Sequence, residues 1–271
     1  MFMFSRFVLF YIPFGYSLKT RFNNISAFCG WMLEYLIPIS FIVFNKNDST
    51  NIGTYVLAIF YIYNTYEIGY IENDTETIKI ESSPSLRLTS KELNYYEDNK
   101  VKIYSFKFLF SCLFGVILYL SGVSEIILFY ILLLIPVYLC YNRNRSQLNN
   151  HLFLLQRFMR YSGLYLIGIE KISILDLLLL LLMYPMPIYI TRCVSGKYGY
   201  VNHFLEKYVV GVNKNFSLFR IRYSAISVIL GVSLLSLSVL DITCFIVLLY
   251  YLIYWIIRYW AKIRKIENKT T

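Results

Sequence analysis

Charge is scarce in this sequence: only 15% of its 271 residues are Asp, Glu, Lys or Arg, where a soluble domain averages about 25%. No stretch is polar enough, for long enough, to form a soluble domain of ordinary size. Histidine is nearly absent. His151 and His203 stand alone, there is no H-E-x-x-H, and no Ser/His/Asp arrangement can be assembled, so zinc hydrolysis and triad chemistry have no footing. Neither G-x-G-x-x-G nor G-x-x-x-x-G-K-[ST] occurs, which excludes nucleotide sites of those types. The five cysteines (Cys29, Cys112, Cys140, Cys193, Cys244) are scattered without a C-x-x-C, so neither a disulfide framework nor a zinc site is indicated. A secretory signal is missing too. Arg6 interrupts the first apolar run, no small-residue cleavage site follows, and Pro13 with Gly15 would break a helix there. Residues 1–22 read instead as an amphipathic segment lying in the membrane interface.

What the sequence has is apolar surface. Hydrophobic residues make up 58% of the chain and aromatics 19%. Runs long enough to cross a bilayer recur near 25–44, 52–71, 105–122, 124–141, 151–169, 173–190, 220–239 and 241–260. The expectation is one all-α integral membrane domain over 1–271, a polytopic bundle of about eight transmembrane helices, with nine the alternative. With both termini taken as cytoplasmic, 24 of the 26 Lys and Arg fall on inside segments and only Lys46 and Lys171 remain outside. That asymmetry follows the positive-inside rule. The net charge of +10 is therefore spread along membrane-facing loops, and no basic domain stands apart to bind nucleic acid. The spans pair into four hairpins with short outside turns. The long connections, near 72–104, 141–150 and 191–219, all face inside and carry most ionisable side chains. Trp31, Trp255, Trp260 and many of the 27 tyrosines read as interface belts.

Five of the 16 acidic residues (Glu67, Glu72, Asp74, Glu76 and Glu81) crowd the end of the second span, in "YNTYEIGYIENDTETIKIESSPSLRL". Read as one helix, the stretch sets Asn64, Glu67, Ile71, Asp74 and Glu81 on a single face. Ionisable groups at the membrane boundary are costly and usually face a polar cavity. Carboxylate and amide oxygens converging on one face suit Mg²⁺ with its bound waters and a substrate phosphate. The plainer alternative is a solvated helix end, which is the better account of Glu72 and Glu76. Arg143 and Arg145 in "YNRNR", with Arg157 and Arg160 beyond, suit phosphate through paired hydrogen bonds. They also suit simple anchoring at the inner face.

The run "NDTETIKIE", residues 73–81, resembles the N-D-x-x-D-x-x-x-D motif at the cytoplasmic end of the second transmembrane helix in the UbiA superfamily of membrane-embedded prenyltransferases. Asn73 and Asp74 match in type, while Thr77 and Glu81 stand where aspartates are usual. "SSPSLRL", with Pro84 and Arg87, resembles the Arg-Pro segment that follows. The second acidic motif of the family, after helix six, is replaced by a basic loop with Glu206 as its one acid and Arg192, Lys197, Lys207 and Lys214 around it. "SGKYGYVNHFLEK" is closer to the polyprenyl-phosphate phosphoribosyltransferase branch. The resemblance implies a UbiA-like bundle in the inner membrane of a bacterium. It implies transfer onto or from a polyprenyl (phosphate) lipid, in the phosphoribosyl version from 5-phosphoribose 1-diphosphate. In that scheme Asn73, Asp74, Glu81 and Glu67 hold Mg²⁺, with Asp74 and Glu81 central to catalysis. Asn64, Lys79, Arg87, Arg143, Arg145 and Lys197 bind the lipid phosphate and the phosphorylated donor. The alternatives are a prenyltransferase with an aromatic acceptor, and a non-catalytic lipid-binding, scaffold or transporter subunit.

Overall fold

In the computed structural model, which describes residues 5–47, 50–81, 84–196, 200–211 and 213–270, every regular element is helical. Two short helices open the chain, α1 (Arg6–Tyr11) and α2 (Gly15–Thr20). α3 (Ile25–Trp31) runs through a π turn at Met32–Leu36 into α4 (Ile37–Lys46). Then come α5 (Ile52–Thr75), α6 (Ser90–Leu120), α7 (Glu125–Leu132), α8 (Leu134–Arg143) and α9 (Leu148–Gly168). α10 (Ile174–Met183) bends by 42° into α11 (Pro185–Val194). Pro185 and Pro187, which cannot donate to the preceding turn, sit at that bend. A π turn at Leu205–Val210 leads to α12 (Phe216–Ser236) and α13 (Ile242–Thr270).

Among the described residues, five helical runs are long and apolar enough to cross a membrane: Ile25–Lys46, Ser90–Leu120, Glu125–Arg143, Phe216–Ser236 and Ile242–Arg264. They become six if the bent pair is one span. α5 and α9 have the length, but polar residues hold them below that apolarity. Both lie inside the bundle. Along α5, Tyr61 to Gly69 is a continuous buried stretch. A helix shielded by its neighbours rather than by lipid can keep Asn, Glu and Arg wherever each finds a partner. Gly69 shows how close the packing is: a Cβ there would fall 2.0 Å from the Tyr138 ring on α8.

Asn47, Thr50 and Asn51 line one shared cavity with residues 121–124 and 168–170, which brings together residues from three of the four predicted outside turns. Three expectations need correction. The 72–104 connection is mostly helix, since α5 runs to Thr75 and α6 begins at Ser90 under a Thr89–Glu92 capping box. The N-terminal segment breaks at Pro13–Phe14, as its sequence predicts. Its apolar residues are spent inside the bundle rather than on an open apolar face, because Leu9, Phe10 and Tyr16 are fully buried in a cluster with Ile71, Tyr96 and Ile103. The aromatics are core rather than belt. Trp31, Trp255 and tyrosines 16, 35, 61, 63, 96, 161 and 165 are buried, and only Trp260 of the three tryptophans is exposed. Tyrosine suits such a core because its ring packs while its hydroxyl finds a carbonyl or carboxylate.

Candidate functional site at the acidic end of the second long helix

The predicted stripe holds as far as the helix does. Asn64, Glu67, Ile71 and Asp74 share one buried face of α5. Asn73, Asp74 and Thr75 are poor helix formers, and α5 ends at Thr75, giving way to a single 3₁₀ turn at Thr77–Lys79. Glu81 therefore leaves the stripe.

The face is not open. The α1–α2 segment covers it. Glu67 accepts the backbone N–H groups of Phe14 (3.1 Å) and Ser17 (2.7 Å). Its other partner is the Lys107 ammonium at 2.6 Å, which also donates to the Ile12 carbonyl at 3.1 Å. Both side chains of this ion pair are fully buried. Asn64 donates to the Lys107 carbonyl (2.7 Å) and to Ser111 (2.9 Å), tying α5 to α6. Asp74 accepts from Arg21 (3.0 Å), Arg87 (2.8 Å), Asn73 (2.9 Å) and the Tyr16 hydroxyl (3.1 Å). Burial first, and the Asp74 charge next, push the Tyr16 hydroxyl well above its ordinary pKa, so it stays a donor.

The remaining acids are paired separately. Glu81 meets Arg145 at 2.8 Å, and Glu72 meets Arg143 and the Tyr104 hydroxyl, each at 3.0 Å. Lys79 bridges Glu76 (3.0 Å) and Glu97 (2.6 Å) on the surface, away from Asp74. Glu206 pairs with His203 (3.1 Å) and Lys214 (2.7 Å). Lys197 lies outside the described residues.

This arrangement does not fit Mg²⁺. Among the described residues no group of three or more His, Cys, Asp or Glu stands together as a metal site. Glu67, Asp74 and Glu81 each face a different cation of the chain itself. Those partners, Lys107, Arg21, Arg87 and Arg145, come from segments distant in sequence, and helical spacing says nothing of them. Lys107, at the start of an apolar run, was the one legible signal: a lysine carried into a helix bundle needs a carboxylate nearby.

Two cavities lie back to back across residues 72–81. The larger, about 640 Å³, has a charged mouth of Glu72, Glu76, Lys100 and Arg143 and an apolar wall of Ile68, Ile80, Phe108, Ile135 and Leu139. The smaller, about 250 Å³, is polar: Arg21, Arg87 and Arg145 share it with one acid, Glu81, and with Asn73, Ser85, Tyr70, Tyr138 and Tyr141, leaving cations in excess. The Arg21 guanidinium sits 4.2 Å from the centre of the Tyr70 ring. The first cavity suits an amphiphile and the second a polar anion. Neither contains an activated nucleophile, so the chemistry open to them is positioning and charge stabilisation.

Glu76 makes the mouth sensitive to acid. Burial would raise its pKa, but hydrogen bonds from Lys100, Lys79 and Tyr96 outweigh burial and hold it at about 2, below the ordinary 4.5. A depressed carboxylate stabilises the fold fully above its unfolded value and loses that contribution as pH falls through the folded value. The melting midpoint of detergent-solubilised protein is therefore expected to drop between pH 4.5 and about 2. Glu76→Gln, with no proton to take up there, should start lower and show a shallower drop across that window.

Comparison with protein-family models, with curated proteins and with solved structures returns no match to this chain.

Proposed function

We propose that this chain is a polytopic membrane protein that acts on a polyprenyl phosphate lipid as a transferase. In this reading α5 and α9 span the bilayer with the apolar helices, giving eight spans with both termini inside. The observation that carries the reading is the amphipathic groove between α5, α6 and α8. Its apolar wall fits isoprene units, and Lys100 and Arg143 stand at its mouth to meet a phosphate. The Arg143 side chain is 71% exposed and that of Lys100 43%, so both are reachable by a phosphate at the mouth. The polar cavity of Arg21, Arg87 and Arg145 would hold the phosphorylated donor.

For the phosphoribosyl version, the lipid phosphate oxygen forms a bond to the anomeric carbon as the bond to diphosphate breaks. The nucleophile is already an anion and needs no general base. The guanidinium groups stabilise charge on the departing diphosphate, and no step depends on a metal.

A second reading, a lipid-binding subunit without catalysis, is favoured by one observation: Glu67 and Asp74 are occupied by internal cations. Mass spectrometry of lipids retained by the purified protein, followed by an assay for labelled phosphoribose transfer to polyprenyl phosphate, separates the two. Retained polyprenyl phosphate with transfer supports the enzyme. Retention without transfer leaves the binding subunit. No retention and no transfer removes both.

A further inference from the structure

A fourth cavity, apart from the acidic end of α5, is lined by three arginines. It lies between the α3–π-turn segment, α9 and α13 and measures about 420 Å³, within the range of about 300–1,000 Å³ common for ligand sites. Arg157 and Arg160, three residues apart on one face of α9, and Arg258 of α13 reach it, together with Asn24, Ser26 and Glu34.

The charges do not balance. Glu34, placed in the π turn, accepts hydrogen bonds from Arg258, Tyr184 and Tyr254. Its single negative charge is taken by Arg258. Arg157 and Arg160 have no carboxylate partner among the described residues, and the Nε of each is buried without a hydrogen-bond partner. Arg160 is only 7% exposed. Aromatic faces supply part of what is missing. The Arg160 guanidinium lies 4.7 Å from the Tyr35 ring centre and 5.0 Å from that of Tyr66, and Arg157 lies 4.6 Å from that of Phe153. Such contacts soften the desolvation of a cation but give its N–H groups no acceptor in the plane of the guanidinium. Two like charges on adjacent turns also repel. A buried charge left unpaired costs several kcal/mol, and the group that answers all of these demands is an anion with several acceptor oxygens.

We infer that this cavity binds a phosphate or diphosphate group directly through Arg157, Arg160 and Arg258, without a divalent metal. Phosphate oxygens match the planar donor fork of arginine in pairs. With one carboxylate against three guanidinium groups, the cavity carries an excess of two positive charges, which suits a dianion. Glu34 orients Arg258. The phosphate can belong to a lipid head group or be free in solution; Asn24 and Ser26, at the start of α3, stand at the rim. This site is independent of the groove assigned to the polyprenyl chain.

The test follows thermal stability in detergent with inorganic diphosphate, and separately in nanodiscs of phosphatidylcholine with or without polyprenyl phosphate. A ligand that binds only the folded state raises the midpoint with concentration. Diphosphate is expected to raise that of wild type, in EDTA as in Mg²⁺. If only the nanodisc arm responds and Arg160→Gln weakens that response, the phosphate is that of a lipid; if only diphosphate acts, it is soluble. Arg160→Gln should cut affinity at least tenfold while leaving the unliganded midpoint equal to or above wild type, because it removes an unpaired buried charge. A merely structural arginine would show the opposite pattern, a lower unliganded midpoint and an unchanged ligand shift. Lys100→Ala, in the separate groove, should keep the diphosphate shift. The inference is overturned if neither ligand stabilises wild type, if Arg160→Gln and Arg157→Gln both retain the full shift, or if the shift vanishes in EDTA.

Discussion

Lys107→Ala is expected to lower stability by about 3–5 kcal/mol, the usual consequence of removing one member of a buried ion pair. The pair is fully enclosed, and the lysine also holds the Ile12 carbonyl, so its loss acts in two places. The Glu67 carboxylate would keep the Phe14 and Ser17 N–H donors but no counter-charge. The α1–α2 segment, whose turn is clamped between Glu67 and Lys107, should loosen with it. Added protease should then cut near residues 12–15 faster than in wild type. The double variant Glu67→Gln/Lys107→Met should recover much of the loss, because it removes both charges and keeps an acceptor for one backbone N–H. A midpoint for Lys107→Ala close to that of wild type, with unchanged proteolysis, would show that the clamp contributes nothing.

Asp74→Ala is expected to be nearly as damaging, again about 3–5 kcal/mol, because it strands a mostly buried arginine. The side chain of Arg21 is 15% exposed and that of Arg87 is 38% exposed. Arg87→Ala should accordingly cost far less, about 0–1 kcal/mol, as for other solvent-screened pairs. This order separates a structural carboxylate from a metal ligand. If Asp74 serves as counter-ion to Arg21 and Arg87, neither Mg²⁺ nor EDTA moves the wild-type midpoint. A midpoint raised by Mg²⁺ in wild type and not in Asp74→Asn would restore the metal assignment that the N-D-x-x-T-x-x-x-E pattern suggests. Both measurements use the unfolding transition in detergent, followed by tryptophan fluorescence, since Trp31 and Trp255 are buried.

The sequence by itself determined where the helices run. Apolar length sets those positions, and each predicted span between 25 and 260 is occupied by helix, with breaks at Pro13 and before Pro185 where the missing N–H demands them. Residues of three of the four predicted outside turns line one cavity at one end of the bundle. Local spacing also put Asn64, Glu67, Ile71 and Asp74 on one face.

What that face meets was decided only by the tertiary structure. Helical periodicity reports which residues share a side, and a carboxylate aimed at Mg²⁺ has the same spacing as one aimed at lysine. The answer rests on Lys107, 40 residues from Glu67, and on Arg21, 53 residues from Asp74. Lys107 meets Glu67 because α6 packs along α5, and Arg21 meets Asp74 because the N-terminal segment folds over α5. The same limit applies to Arg157 and Arg160. In the sequence they resemble anchors at a membrane face. In the folded chain they are carried into a cavity lined by Phe22, Trp31 and Tyr35, where burial turns an ordinary positive charge into a demand for an anion.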